Sequence, residues 1–343
     1  MRIGLHLGYW SRDLGPRAQL ELAQEAERLG CDSIWVAEAY GSDAASVLAW
    51  LAAQTSTIRL ASAVFQMPAR SAAMTAMTAA TIDQLSGGRM VLGLGSSGPQ
   101  VAEGWHGQPF ARQLARTRDY VAVVRMALSR ERVAFDGETI TLPLPDGPGR
   151  ALKLTIAPVQ QSIPILLAAI GPNNTRLAGE IADGWIPTLH APEQLASARA
   201  LLEQGAARSG RSLERFQVAP QVYACVNDDL AAARDAVRGV LALYIGGMGS
   251  REQNFYNQLV ARSGFESAAG EVQRLYLEGR QREAAAALPD ELIDGLCLCG
   301  PPARVRERLA CYAAAGVDLL GLTLMAPAHE QLAQLRAIVE LAA

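Results

Sequence analysis

The run Gly93-Leu94-Gly95-Ser96-Ser97-Gly98 has the G-x-G-x-x-G spacing that lets glycine amides approach a pyrophosphate. An apolar stretch, Arg89-Met90-Val91-Leu92, leads into it as a strand would. A dinucleotide-binding fold then needs a helix opening on the last glycine and a carboxylate ending the next strand, about 20 residues on. Here Pro99, Gln100 and Glu103-Gly104-Trp105-His106-Gly107 read as a loop rich in breakers and aromatics. The acid at the right distance, Asp119, lies in a stretch of helical periodicity. The dinucleotide reading fails on context. What remains is a strand ending in Gly95, Ser96, Ser97 and Gly98, small residues whose amides can approach an anionic or heteroaromatic ligand.

A second small polar run, Gly171-Pro172-Asn173-Asn174-Thr175, opens a helix and could bind a phosphate on its free amides. The alternative is that Asn173 or Asn174 is only a helix cap. Glu38 follows a strand and could hydrogen-bond a cofactor ring or substrate, or could instead neutralise a buried arginine. Trp10, Trp105 and His106 could wall a substrate pocket, and His190 stands in a loop where it could face a substrate. His6 lies within the first strand, where a satisfied interior histidine is the simpler reading.

These groups are carried by short apolar runs alternating with amphipathic helices. Strands are expected over Arg2 to Gly8, Ser33 to Ala37, Arg59 to Val64, Met90 to Gly95, Pro164 to Ala169, Gly184 to Leu189, Phe216 to Cys225 and Leu319 to Met325. Eight strands with intervening helices favour an α/β (β/α)8 TIM barrel, one domain over 1–343. Insertions are expected near 131–160, where a hairpin turns at Asp136-Gly137, and near 246–292, a lid or an interface. In such barrels ligands sit at the C-terminal strand ends, which here are lined by small and aromatic residues with few ionisable groups. That suits a flat aromatic cofactor better than metal-assisted hydrolysis.

Composition narrows the function further. The net charge of −3 and the lack of a basic run argue against nucleic acid, and no apolar stretch has the length of a membrane span. With no signal peptide at the N-terminus, a cytoplasmic location is expected. The five cysteines form no C-x-x-C and the histidines no H-E-x-x-H, so no metal is expected. Lys153 is the only lysine, which removes the P-loop and leaves a Schiff base little scope.

The chain resembles the luciferase-like monooxygenase superfamily, and within it the coenzyme F420-dependent oxidoreductases, over nearly its whole length. The resemblance is carried by Ala76-Met77 with Thr81-Ile82-Asp83 and Ser86-Gly87-Gly88-Arg89, by Glu103-Gly104-Trp105-His106-Gly107, by Ala168-Ala169-Ile170-Gly171-Pro172, and by Ala182-Asp183-Gly184-Trp185. It implies a TIM-barrel hydride-transfer enzyme that binds F420, acts on a small molecule and forms a homodimer. It also implies a non-proline cis peptide at Ala63-Val64, in a bulge that backs the deazaflavin ring. Cofactor contacts carry over to Ser96-Ser97-Gly98, to Gly171 through Thr175, and to Thr188.

The departures bear on the reaction. Relatives that oxidise alcohols have Asp-His where this chain has Glu38-Ala39, so no evident general base exists to take a hydroxyl proton. Reduction of an activated C=C or C=N bond needs only hydride delivery and a proton, from solvent or from Tyr9 or Tyr40. The alternatives are a monooxygenase using reduced FMN, or a flavin-binding protein without catalysis.

Overall fold

A computed structural model describes residues 1–8 and 14–343. Its eight principal strands are β1 (Arg2–Gly8), β2 (Ser33–Val36), β3 (Arg59–Ser62), β4 (Met90–Gly95), β5 (Ile165–Ala168), β6 (Gly184–Ile186), β7 (Gln221–Val226) and β8 (Leu319–Leu324). Neighbours in sequence pair in parallel from β1 through β6, β7 pairs with β8, and β8 returns to β1 with Gly4 opposite Gly321. The run entering β7 closes the ring. Gln217–Val218 pairs with Gly184 and Trp185, and Gln221 bridges to Thr188. Pairing in sequence order around a closed ring is the barrel topology and not the doubly wound one.

The two faces of the ring are apolar for different reasons. Inward, Trp35 fills the centre with Ala61, Val91, Leu166, Ile186, Ala219 and Leu319 around it. Outward, strand residues such as Leu5, Ile34, Leu60 and Leu92 pack beneath the surrounding helices. A further apolar cluster lies under the segment between β7 and β8, where Val272, Leu275 and Ile293 meet Val237 and Leu241. The Cys297-Leu298-Cys299 stretch does form a short strand, Leu298–Gly300, which pairs with the C-terminal half of β7. Its thiols are buried beside Cys225, whose thiol burial pushes up to about 11.

Two local expectations are corrected. The segment after Gly98 is not all loop: Pro99–Gly104 is a short helix, because Pro99 takes the first helical position where its missing N–H costs nothing. The helix expected from its periodicity over Thr175 to Ala182 starts earlier, at Pro172, for the same reason. Asp119, spaced like a dinucleotide-fold acid, instead accepts three bonds from Thr139 and Ile140 and so pins the 135–142 hairpin to its helix. Among the described residues no helix is long and apolar enough to cross a membrane.

Candidate functional site

The floor of the C-terminal mouth is a bulge after β3. The Ala63–Val64 peptide is cis, as the resemblance implied, and the chain resumes as Phe65–Gln66 paired with Leu94 and Gly95. The glycines of β4 are explained by this bulge. A Cβ on Gly93 would stand 2.0 Å from the Ser62 carbonyl oxygen, and one on Gly95 would stand 2.6 Å from Val64 Cγ2. The glycine spacing therefore serves close approach of the bulge: its Ser62 backbone at Gly93 and its Val64 side chain at Gly95. Ala168 Cβ, on the neighbouring strand, would stand 3.7 Å from the same Gly95 Cβ, so Ala63, Val64, Gly95 and Ala168 line this floor with small side chains.

Beside the floor, a polar chain ties three strand ends together. Glu38 is 9% exposed, and its Oε1 accepts from the Gln66 amide at 3.0 Å and from Arg70, while Oε2 accepts from the Ala44 amide at 3.1 Å. Of the two roles open to Glu38, these contacts are those of a partner for a buried arginine. Gln66 in turn donates to the Ala39 carbonyl at 2.9 Å and accepts from the Ser97 hydroxyl at 3.0 Å. Ser97 has a left-handed backbone, φ 61°, so its hydroxyl bond fixes a conformation that few side chains adopt. Gln66 and Arg70 carried no sequence signal as site residues; both lie just beyond the bulge that no periodicity reveals.

His6 points up the interior toward this floor. Its Nδ1 accepts from the Gly8 amide at 3.0 Å and the ring meets the Ala63 backbone, while burial pulls its pKa down to about 4. It is a neutral, satisfied interior histidine at pH 7.

On the β5 side, the helix Pro172–Ile181 is capped by Gly171 with no side-chain bond, so neither Asn173 nor Asn174 is the cap. Pro172 has no N–H, and the first-turn amides of Asn173 and Asn174 have no intrahelical acceptor. Asn173 Oδ1 instead accepts from Arg176 at 3.1 Å, and Thr175 donates to the Gly171 carbonyl at 3.1 Å. Ser96, Ala168, Ala169 and Asn174 line one small cavity between this helix and β4. These residues could hold an anionic tail next to a planar ring on the floor.

The remaining expected residues divide. Tyr9 and Trp10 lie outside the described residues. Tyr40 is 59% exposed and Trp105 66%, both at the rim, and His106 follows Trp105 with its Nε2 buried. His190 does not face the mouth. Its ring packs edge-on at 5.3 Å against Trp185, which belongs to the outward, helix-covered face, and Nδ1 meets the Thr188 carbonyl at 3.0 Å. The left-handed backbone of Leu189 precedes this turn away from the ring.

The model of the family described as luciferase-like monooxygenase matches residues 4–319. The chain belongs to that family. A Mycobacterium tuberculosis protein named "Putative coenzyme F420-dependent oxidoreductase" is 43% identical, the match covering 99% of each chain. The 5,10-methylenetetrahydromethanopterin reductase of Archaeoglobus fulgidus is 30% identical over 85% of each. The solved F420-dependent tetrahydromethanopterin reductase of Methanopyrus kandleri superposes with a TM-score of 0.82 at 24% identity, covering 98% of this chain and 97% of its own.

Much of what marks this luciferase-like chain in sequence is scaffold. Arg89 is buried and donates five bonds to oxygens of Ala52, Thr55, Ile58 and Ser86, tying helix ends together beneath the barrel. Asp83 accepts from Val159, Gln160 and Met90, and Asp183 from Ile165 and Arg125. The family signature thus positions the strands whose ends make the site.

Proposed function

We propose that this chain is an F420-dependent oxidoreductase that reduces an activated C=C or C=N bond of a small organic substrate. The observation that carries the cofactor is the near-full-length similarity to a relative whose name includes coenzyme F420. The site fits the group: a floor that a single added Cβ at Gly95 would disturb, and a helix N-terminus without a side-chain cap. Ala63, Val64, Gly95 and Ala168 would back the ring, and Ser96, Ser97, Gly98 and the turn from Ala169 and Gly171 to Thr175 would hold the phosphate-bearing tail, with Thr188 on the far side. When bound, F420 exchanges a hydride with the substrate.

The chain's own residues supply positioning more than proton chemistry. Glu38, Arg70 and Gln66 lock the loops after β2, β3 and β4 in one arrangement. His6, its pKa at about 4, is no base for an alcohol at neutral pH. Reduction of a polarised double bond then takes its proton from solvent or from a tyrosine, Tyr9 or Tyr40. Trp10, Trp105 and His106 belong to the substrate side.

The working unit is a homodimer in this reading. Met74, Met77 and Leu85 lie exposed along one face of the helix Ala72–Ser86, a stripe suited to a second copy.

The test is titration of purified apo-protein with F420 and separately with FMN, followed by cofactor fluorescence. Tight F420 and weak FMN binding is expected. Preference for FMN would move the chain to flavin chemistry, and binding of neither would remove the cofactor.

A further inference from the structure

Resting on the reading of the mouth as the reaction site, we propose that the segment between β7 and β8 roofs that mouth with a tyrosine wall, and that this wall selects an uncharged, planar, aromatic substrate.

The argument begins with register. Paired residues on parallel strands point to the same side. A Cβ on Gly4 would meet the Trp35 ring at 2.7 Å, so position 4 faces the barrel interior. Gly321 pairs with Gly4, and Gln221 pairs with Gly321, its side chain lying where a Cβ of Gly321 would be. Two residues farther along, Tyr223 and its partner Thr323 face inward on the next layer up, as does His6 beside the Ala63 backbone. Tyr223 therefore opens onto the chamber whose floor is the bulge.

The roof continues from Tyr223. Its ring lies 6.3 Å from that of Tyr244, which stands 4.8 Å edge-on to Tyr256. Tyr244 sits in a π-turn, Leu243–Gly247, which leaves carbonyls out of the ordinary helical ladder. Asn254 donates to the carbonyls of Tyr244 and Ile245, at 3.2 and 2.9 Å, and Asn257 to those of Ile245 and Ala269, at 3.1 and 2.7 Å. Two asparagines thus hold the turn open and fix where Tyr244 points.

The segment also reaches across the ring. Tyr276 lies against Gly246 and Gly247, and its hydroxyl's pKa is raised by burial first and then by the charge of Tyr40, which follows β2. Phe255 pairs with Phe110, beyond β4, at 6.1 Å. β2 and β4 each stand three strands from β7, in opposite directions around an eight-strand ring. One insertion that meets Phe110 on the β4 side and extends to within electrostatic reach of Tyr40 on the β2 side spans the opening.

The chemistry of the enclosed space follows. Among the described residues, the upper inward layer of His6, Ala63, Gly95, Ala168, Thr188, Tyr223 and Thr323 holds no charged side chain. Beside it, Glu38 and Asp43 share the single cation Arg70, so this trio offers an anion no free positive charge. An anionic substrate would lose water there and gain no cation from the described residues of this layer. A flat aromatic one extends the ring pairs already present, through edge and offset contacts that favour such packing.

Two probes of like shape and different charge decide it: benzylideneacetone, neutral, and trans-cinnamate, anionic. Each is titrated by calorimetry into the protein with and without F420. The wall is built by this chain alone, so at least tenfold tighter binding of benzylideneacetone is expected in both states. Tyr244→Ala and Asn254→Ala should each weaken that probe by about tenfold, and Tyr244→Phe by less than twofold, with F420 affinity held. Circular dichroism confirms that each variant is folded, and Tyr256→Ala serves where one is not. Equal binding of the two probes, binding of neither, or an unchanged affinity in the folded alanine variants overturns the proposal. Failure of the unsubstituted protein to bind F420, read separately by its fluorescence, would instead overturn the cofactor reading.

Discussion

Glu38 and Arg70 form an ion pair that is almost wholly enclosed, with side-chain exposures of 6% and 13%. Removing one partner of an enclosed pair costs about 3–5 kcal/mol, and the cost here lies toward the lower end because Arg70 keeps Asp43. Glu38→Gln is therefore expected to lower the denaturant midpoint by that order and to weaken cofactor binding through the loosened Gln66 and Ser97. A carboxylate acting directly on substrate would show the opposite pattern, a fall in kcat at unchanged stability. The histidines make a separate prediction. His190 is 8% exposed, and burial lowers its pKa from 6.5 to about 4. The unfolded chain takes up this proton more readily than the folded one, so the stability it contributes is whole above pH 6.5. It is lost as pH falls toward 4, by roughly 3 kcal/mol at the limit. His6 acts in the same window with the same sign. The melting temperature should fall between pH 6.5 and 4.5, above the window from 4.5 to about 2 in which Glu25 loses its own contribution. His190→Phe should flatten part of that slope; an unchanged slope would place the titration elsewhere.

At the level of elements, the β4 glycines join sequence to site. Gly95→Val would push the Val64 side chain, and the bulge with it, out of place. The expected result is loss of F420 binding by at least a hundredfold from a protein that still folds. Retained binding would mean that the bulge does not back the ring. The same element shows what the sequence could and could not reveal. The eight strands were legible because each is a short, mostly apolar run bounded by turn residues, and the Asp-Gly hairpin because its turn chemistry is local. The glycine run was legible as a close approach, but not which backbone approaches: the partner, Ser62 and Val64, lies 31 residues away in sequence. Glu38 could be placed at a strand end, yet its partner Arg70 is 32 residues on and nothing in the spacing selects it. His190 misled because one left-handed residue, Leu189, turns the chain out of the ring. The tyrosine wall went unread because inward facing depends on register through three strands.

For the whole molecule, the exposed methionines of the Ala72–Ser86 helix carry the expectation of a dimer. Met74→Glu with Met77→Glu should convert a dimer to a monomer by light scattering, with the barrel's circular dichroism retained. A wild-type protein that runs as a monomer would remove that face from consideration. The ring has another consequence. β1 pairs with β8, Arg2 opposite Leu319, and the last helix anchors on the first through Arg336 and Glu25. During synthesis on a ribosome, one edge of β1 therefore stays without its neighbour until nearly the whole polypeptide has emerged. A nascent chain halted before residue 319 presents an open, apolar strand edge, a template for pairing with other chains. Truncations that stop short of β8 should accumulate as aggregates bound by chaperones, and co-expressing the missing C-terminal piece should return them to solution.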